Sequence, residues 1–347
     1  MSVANSTVSP IIADVLRCFG QTRDVTLVSF PTPGFSGAIV VRAKGPVGDF
    51  CLRGWPPDAL PERRIRGLHR LLQHIHRQGV GCVSVPVRSE MNDTLVLRHG
   101  RCWQLEPWLP GAADYWSNPS ESRLRSAARC LAEWHRAAKL FVPRQSEAEW
   151  FDCRVQCESL AVRERLERVR QLQCGGVDRL KSHLPRSNDR PFHRVGRRIL
   201  QLFPLAAHAI ESELVAAKHF AFDLQPCLRD IWHDHILFTG DEVTGLIDAS
   251  ACRYENVATD LARLFGSLIE DEFDAWQIAF KEYQRHSSLT TEELALVQTL
   301  DRSAVLLAGI TWLRRSVIEN EPVANDERVV LRMQTIATRL ERLMRTL

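Results

Sequence analysis

The chain has 347 residues, enough for two compact lobes with separate cores, and its 45% hydrophobic and 25% charged content excludes a disordered or fibrous protein. A formal net charge of +3 gives no general drive toward nucleic acid or a membrane surface. The start, Met1-Ser2-Val3-Ala4-Asn5, lacks a basic segment followed by an apolar core, and the longest apolar stretch, Ala304 to Leu313, is too short to span a bilayer. A cytoplasmic protein without nucleic-acid or membrane partners is expected. The ten cysteines are dispersed from Cys18 to Cys252 with no CxxC pair, a pattern of reduced, mostly buried thiols. Cys153 and Cys157 are at helical spacing and, with a distant histidine, are one candidate zinc site.

In chain order, Val25 to Phe30 reads as a strand that ends at the turn Pro31-Thr32-Pro33-Gly34. Ala38 to Arg42 and Asp49 to Arg53 are two further strands around the Gly45-Pro46 turn. Residues 59–78 carry Ile65, Leu68, Leu71, Leu72 and Ile75 on one helical face. His69, His74 and His76 on that helix have no clean metal-site spacing and are expected at the surface. Thr94 to Arg98 and Cys102 to Glu106 are strands joined at His99-Gly100. The break at Pro107-Trp108-Leu109-Pro110-Gly111 sets the lobe boundary, so residues 1–109 form a small lobe and 110–347 a large, mainly helical one. Arg123 to Leu140 and Leu160 to Gln173 are helices. Residues 151–200 hold twelve Lys/Arg against six Asp/Glu, read as a solvated helical face. From Glu327, Val329, Met333, Ile336, Leu340 and Leu343 recur in steps of four and three, a core-packing helix or a short dimer seam. A monomer or homodimer is expected.

The chemistry is carried by parts that are far apart in sequence. Gly34-Phe35-Ser36-Gly37 lies between two strands, where glycine backbone can approach phosphates closely. Arg53 on the third strand can reach phosphates beneath that turn. Asp230 precedes the strand Ile236-Leu237-Phe238, the turn Thr239-Gly240-Asp241-Glu242 reverses the chain, and Val243 to Ile247 returns to Asp248. Two carboxylates at a hairpin mouth, after a cationic strand, match the needs of phosphoryl transfer: one holds a metal and one orients the attacking hydroxyl. Turn capping by aspartate is the alternative reading. Trp55, Trp103, Trp108 and Trp116 are candidate cleft walls or core residues.

The order of these parts resembles the aminoglycoside phosphotransferase family, the small-molecule branch of the protein-kinase-like fold. The resemblance rests on Leu228-Arg229-Asp230 with His235, on Leu246-Ile247-Asp248-Ala249-Ser250 and on Asp260-Leu261-Ala262. Upstream it rests on Gly34-Phe35-Ser36-Gly37-Ala38, on Trp103 to Gly111, and on Leu131-Ala132-Glu133-Trp134-His135-Arg136-Ala137-Ala138. It implies an α+β, two-lobed fold with a small antiparallel sheet lobe. It implies ATP and Mg²⁺ as cofactors and a small-molecule hydroxyl as acceptor. Asp230 is then the base or orienter, Asp248 the metal ligand, and Gly34, Phe35, Ser36, Gly37 and Arg53 the phosphate clamp. Glu106 to Trp108 offer backbone hydrogen bonds to adenine, and Asp260 accepts catalytic-loop N–H groups.

Four positions depart from the family pattern. Leu228 replaces a loop histidine, and Arg53 replaces a lysine. The usual acid on the following helix is missing, with Glu62 the only acid there. His235 stands where asparagine binds metal, which opens Mn²⁺ as an alternative to Mg²⁺. The leading expectation is an ATP-dependent phosphotransferase acting on a metabolite or amino sugar. The alternative is a catalytically silent kinase-like binding module; the retention of both Asp230 and Asp248 favours the enzyme.

Overall fold

A computed structural model describes residues 10–20, 25–29, 37–185 and 190–345. The chain divides into two compact units, each discontinuous in sequence: residues 1–153, 230–254 and 278–287 form the first, and 154–229, 255–277 and 288–347 the second. Residues 110–153 thus pack with the first 109.

The first unit opens with helix α1 (Pro10–Cys18), followed by strands β1 (Thr26–Ser29), β2 (Ile39–Gly45) and β3 (Gly48–Gly54). Helix α2 (Glu62–Arg77) leads to β4 (Val96–Arg98) and β5 (Arg101–Pro107). These strands form one antiparallel sheet in the order β1-β2-β3-β5-β4. Its register sets Cys51 opposite Glu106, Leu52 opposite Leu105 and Arg53 opposite Gln104. Because side chains alternate across a strand, Leu52 and Leu105 enter a core with Val41 and Trp103, and Cys51, Arg53, Gln104 and Glu106 share the other face. Trp103 is therefore core and not cleft wall. Helix α3 (Glu121–Lys139) starts at a Ser120 cap and buries Leu124, Ala127, Leu131 and Trp134, and the short helix α4 (Ala148–Phe151) buries Phe151.

The chain enters the second unit through β6 (Arg154–Cys157), so Cys157 ends an extended strand and the helical spacing expected for Cys153 and Cys157 is corrected. Helices α5 (Leu160–Gln171), α6 (Val177–His183) and α7 (Pro191–Lys218) follow, then β7 (Phe222–Cys227), antiparallel to β6. After β8 (Ile236–Thr239) and β9 (Glu242–Leu246), a hairpin of the first unit, the second unit is completed by helices. These are α8 (Ala258–Leu268), α10 (Thr291–Val317) and α11 (Glu327–Leu343), with α9 (Phe273–Gln284) crossing the division. On α11, Val329, Met333, Ile336 and Leu340 are buried, the core-packing role expected of their spacing.

The stretch Ala304 to Leu313 belongs to α10, and by length and composition α7 and α10 are both long and apolar enough to cross a membrane. This corrects the expectation from the short apolar stretch. In the protein the two helices pack on each other, with Ile199, Leu200, Phe203, Leu306, Ile310 and Leu313 buried. The backbones approach at two glycines: a Cβ on Gly196 would lie 2.5 Å from Leu313 Cδ2, and one on Gly309 2.6 Å from Ile199 Cδ1. Gly309→Val is therefore expected to lower stability by about 1–3 kcal/mol through overpacking, read from urea unfolding. A variant as stable as the parent would show that these helices do not meet at Gly309.

Candidate active site

The site is built on the polar face of the five-stranded sheet and on the β8–β9 hairpin, all within the first unit. Hairpin pairing runs from Ile236 opposite Leu246 to Thr239 opposite Glu242, and the Ile247 N–H extends it to the His235 carbonyl (3.0 Å). Asp248 follows with φ +58°, a left-handed backbone that aspartate tolerates better than most residues. Its Oδ1 accepts from Arg53 Nη1 at 2.9 Å, joining positions 195 residues apart. Arg53 is nearly buried, its guanidinium 5.6 Å from the centre of the Trp55 ring, and its Nε has no hydrogen-bond partner among the described residues.

The electrostatics follow from burial and charge. Burial pushes the Asp248 carboxyl up, but Arg53, His235 and the Ser250 hydrogen bond together hold it below the usual carboxylate range. Burial pushes the Glu106 carboxyl above its usual range, with Arg53 and Gln104 only partly opposing. Next to it, burial and then the Glu106 charge drive the Cys51 thiol up to about 12, so it is no nucleophile. Burial lowers the Arg53 guanidinium, and the Asp248 and Glu106 charges more than restore it. Two carboxylates thus serve one guanidinium.

This resolves the missing helix acid. Glu62 pairs with Arg66 on the surface of α2, and the partner of Arg53 is Asp248, with Glu106 diagonal to it on the sheet. The inward position on α2 is held by His69, 1% exposed, which corrects the expectation of a surface histidine. Its Nδ1 meets Thr94 Oγ1 at 2.8 Å and its Nε2 meets Gln104 Oε1 at 3.0 Å. The same Gln104 oxygen accepts from Trp55 Nε1 at 2.8 Å, and the Gln104 amide reaches Glu106 Oε2 at 3.4 Å. Sequence reasoning missed Gln104. Its strand alternation with Glu106 was the available signal.

The loop before the hairpin places Asp230 exposed and His235 half-buried. His235 Nδ1–H donates to the Asp230 carbonyl at 2.8 Å, and Nε2 accepts from Trp232 Nε1–H at 3.0 Å. These partners fix the tautomer, since a carbonyl only accepts and an indole only donates. Both ring nitrogens are thereby engaged, and metal ligation by His235 requires giving up the Trp232 bond. In the second unit, the fully buried Asp260 accepts the N–H groups of Leu228 and Arg229, each at 2.6 Å, with Arg229 at φ +63°.

Of the other expected site residues, Gly34, Phe35 and Ser36 lie outside the described residues, and Gly37 has φ +68°. The Trp108 N–H is spent within the sheet, donating to Asp49 O at 2.9 Å, and its ring lies 4.5 Å from the Arg42 guanidinium. Pro107 O accepts from Ser84 Oγ at 3.0 Å. Leu109 is the first residue past β5 whose N–H has no partner among the described residues. Gly111 then brings the chain against the hairpin: at φ +100°, a Cβ there would lie 2.7 Å from Phe238 O. Ala112 and Phe238 exchange backbone hydrogen bonds at this point, at 3.0 and 2.9 Å.

The phosphotransferase enzyme family (APH) matches residues 28–296 of this chain. No curated protein matches the sequence. Among solved structures, spectinomycin phosphotransferase with ADP and spectinomycin is similar at TM-score 0.68 and 11% identity, covering 96% of this chain and 99% of that one. An amicoumacin kinase with AMP-PNP, Ca²⁺ and Ami gives 0.65 at 12% identity, over 97% and 94%. An aminoglycoside phosphotransferase from Alicyclobacillus acidocaldarius subsp. acidocaldarius DSM 446 gives 0.59 at 14%, over 99% and 98%. At these identities the likeness shows the fold, the α+β protein-kinase-like one expected from the sequence.

Proposed function

The chain belongs to the APH phosphotransferase enzyme family, and from that premise we propose that it transfers the terminal phosphoryl group of ATP to a hydroxyl of a small molecule, a metabolite or amino sugar. The observation that carries the reading is the Arg53–Asp248 pair, with a buried guanidinium N–H that has no partner among the described residues. An arginine held beside one carboxylate and close to a second, with a donor left over, is poised to take phosphate oxygens. The relatives solved with ADP, or with AMP-PNP and Ca²⁺, support a nucleotide with a divalent cation.

In this reading residues 1–109 supply the nucleotide side and 110–347 the acceptor side. Arg53 clamps phosphates together with the Gly34–Gly37 backbone. The N–H of Leu109, one residue past the Glu106–Trp108 segment and without a partner among the described residues, serves the adenine edge. Asp248 supplies the hard carboxylate that Mg²⁺ prefers, and a cation held there would neutralise phosphate charge. His235 steadies the Asp230 loop through the Asp230 carbonyl; Mn²⁺ gains an advantage only if His235 releases Trp232 and lends Nε2. Asp230 accepts the acceptor's hydroxyl proton and aims its oxygen at the phosphorus. A cytoplasmic location belongs to the same reading.

The test is thermal unfolding titrated with ATP in Mg²⁺, in Mn²⁺ and in chelator. At ~100 times Kd, binding adds about 2.7 kcal/mol, a rise of a few degrees in a chain of this size. Asp248→Ala is expected to abolish the part of that rise that depends on metal. Silence with every metal would overturn the kinase reading in favour of a binding module, which the engaged His235 ring also favours.

A further inference from the structure

One thiol pair stands outside the site chemistry. Cys82, in the loop after α2, and Cys130, on α3, have sulfurs 3.0 Å apart, 48 positions apart in sequence and both within the first unit. Cys82 is half-buried and Cys130 buried. A disulfide needs about 2.05 Å between sulfurs, so roughly 1 Å of closure joins them. The hydrogen bond from Cys130 holds the Cys82 thiol below the ordinary range against the effect of burial. The same bond, with burial, pushes the Cys130 thiol well up. The more accessible sulfur is thus also the better thiolate.

The pair lies where two elements grip β9. The Cys82 carbonyl accepts the Leu246 N–H at 2.7 Å, and Val83 bridges Leu246 in parallel. On the α3 side, Ser126 Oγ accepts the Val243 N–H at 2.9 Å and donates to Glu242 at 3.0 Å. We propose that Cys82 and Cys130 form a reversible intramolecular disulfide under peroxide, which ties the two supports of β9 together and stiffens the strand that leads to Asp248. The Cys82 thiolate attacks one oxygen of hydrogen peroxide, giving a sulfenic acid and releasing hydroxide. Oxidation removes the Cys82 charge that held the Cys130 proton in place; the Cys130 sulfur then bonds to the Cys82 sulfur as its proton passes to the departing oxygen, the S–O bond breaks, and water leaves. Two thiols are oxidised and one peroxide is reduced. A dithiol reductant reverses the bond.

The test uses the full-length protein treated with hydrogen peroxide, alkylated, digested without reductant and mapped by mass spectrometry. The expected product is a Cys82–Cys130 cross-linked peptide pair lighter by two hydrogens and absent after dithiothreitol. Cys130→Ser should leave a sulfenic acid at Cys82 that dimedone traps, and Cys174→Ser, an exposed cysteine outside the pair, should leave the cross-link unchanged. Recovery of both residues as thiols, or of the cross-link only after unfolding in denaturant, would overturn the proposal. The oxidised protein should also unfold about 5 °C or more higher, with slower amide exchange at residues 243–248. Unchanged exchange there would refute the stiffening of β9. Neither readout needs the phosphotransferase activity, so failure here and failure of that reading are separately visible.

Discussion

Asp230→Asn is expected to lower kcat by about 10²- to 10⁴-fold, the range for loss of a positioned general base, with little change in nucleotide affinity. The substitution keeps the side chain's size and the contact to His235, which uses the Asp230 backbone carbonyl and not the carboxylate. What disappears is the proposed acceptor of the hydroxyl proton. Single-turnover phosphoryl transfer, measured beside the ATP-dependent thermal shift, separates the two effects. A variant that kept full turnover would sink the proposed role. One that lost the ATP shift as well would mean that Asp230 helps to hold the nucleotide and is not reserved for the acceptor.

Asp260→Ala should be strongly destabilising, at about 2–5 kcal/mol. The Asp260 carboxylate is fully buried and takes two backbone N–H groups at 2.6 Å. Removing it strands both donors, each at a desolvation cost of about 1–3 kcal/mol. It also frees Arg229, whose φ of +63° is tolerated only while the surroundings hold it. Asp260→Asn keeps an acceptor oxygen and should cost less. Urea unfolding of the parent and both variants gives the order directly; equal stability of parent and Asp260→Ala would show that this clamp adds nothing to the fold.

The parts of this protein that were legible in sequence are the ones with a period. The hairpin strands 236–239 and 242–246, α2 and α11 carry alternation or a helical face that survives without knowledge of the partner. The long helix α10 was not resolved as an element, because its apolar residues are spread around its circumference and leave no stripe that marks a helix; α7 does carry such a stripe, through Ile199, Phe203, Ala206 and Ile210, and it was passed over. Strand β7 was hidden by Asp223 and Pro226. At the site, Arg53, Asp230 and Asp248 were identified from motif order, and the structure joins Arg53 to Asp248. The counter-charge of Arg53 was sought on α2, where the family order puts it. Glu106 and Gln104 approach Arg53 only through the β3–β5 register, a long-range pairing that no local window contains. His69 failed for the same reason: its partners Thr94 and Gln104 lie on segments far along the chain. The Trp108 N–H was assigned to adenine because the sheet's last hydrogen bond, to Asp49, was invisible from sequence.

The Arg53–Asp248 pair makes the resting site its own counter-ion. A ligand that engages only Arg53 strips Asp248 of its cation and leaves a carboxylate beside the incoming phosphates. A cation that engages only Asp248 leaves a nearly buried guanidinium unpaired beside a new positive charge. Each partial exchange is penalised, whereas anion and cation arriving together replace one neutral pair with two. If Arg53 takes the phosphates and Asp248 the metal, as proposed, nucleotide and metal affinity are reciprocally linked through this one bond, each strengthening the other by the same factor. The strength of that linkage is set by how far Arg53 is shielded from water.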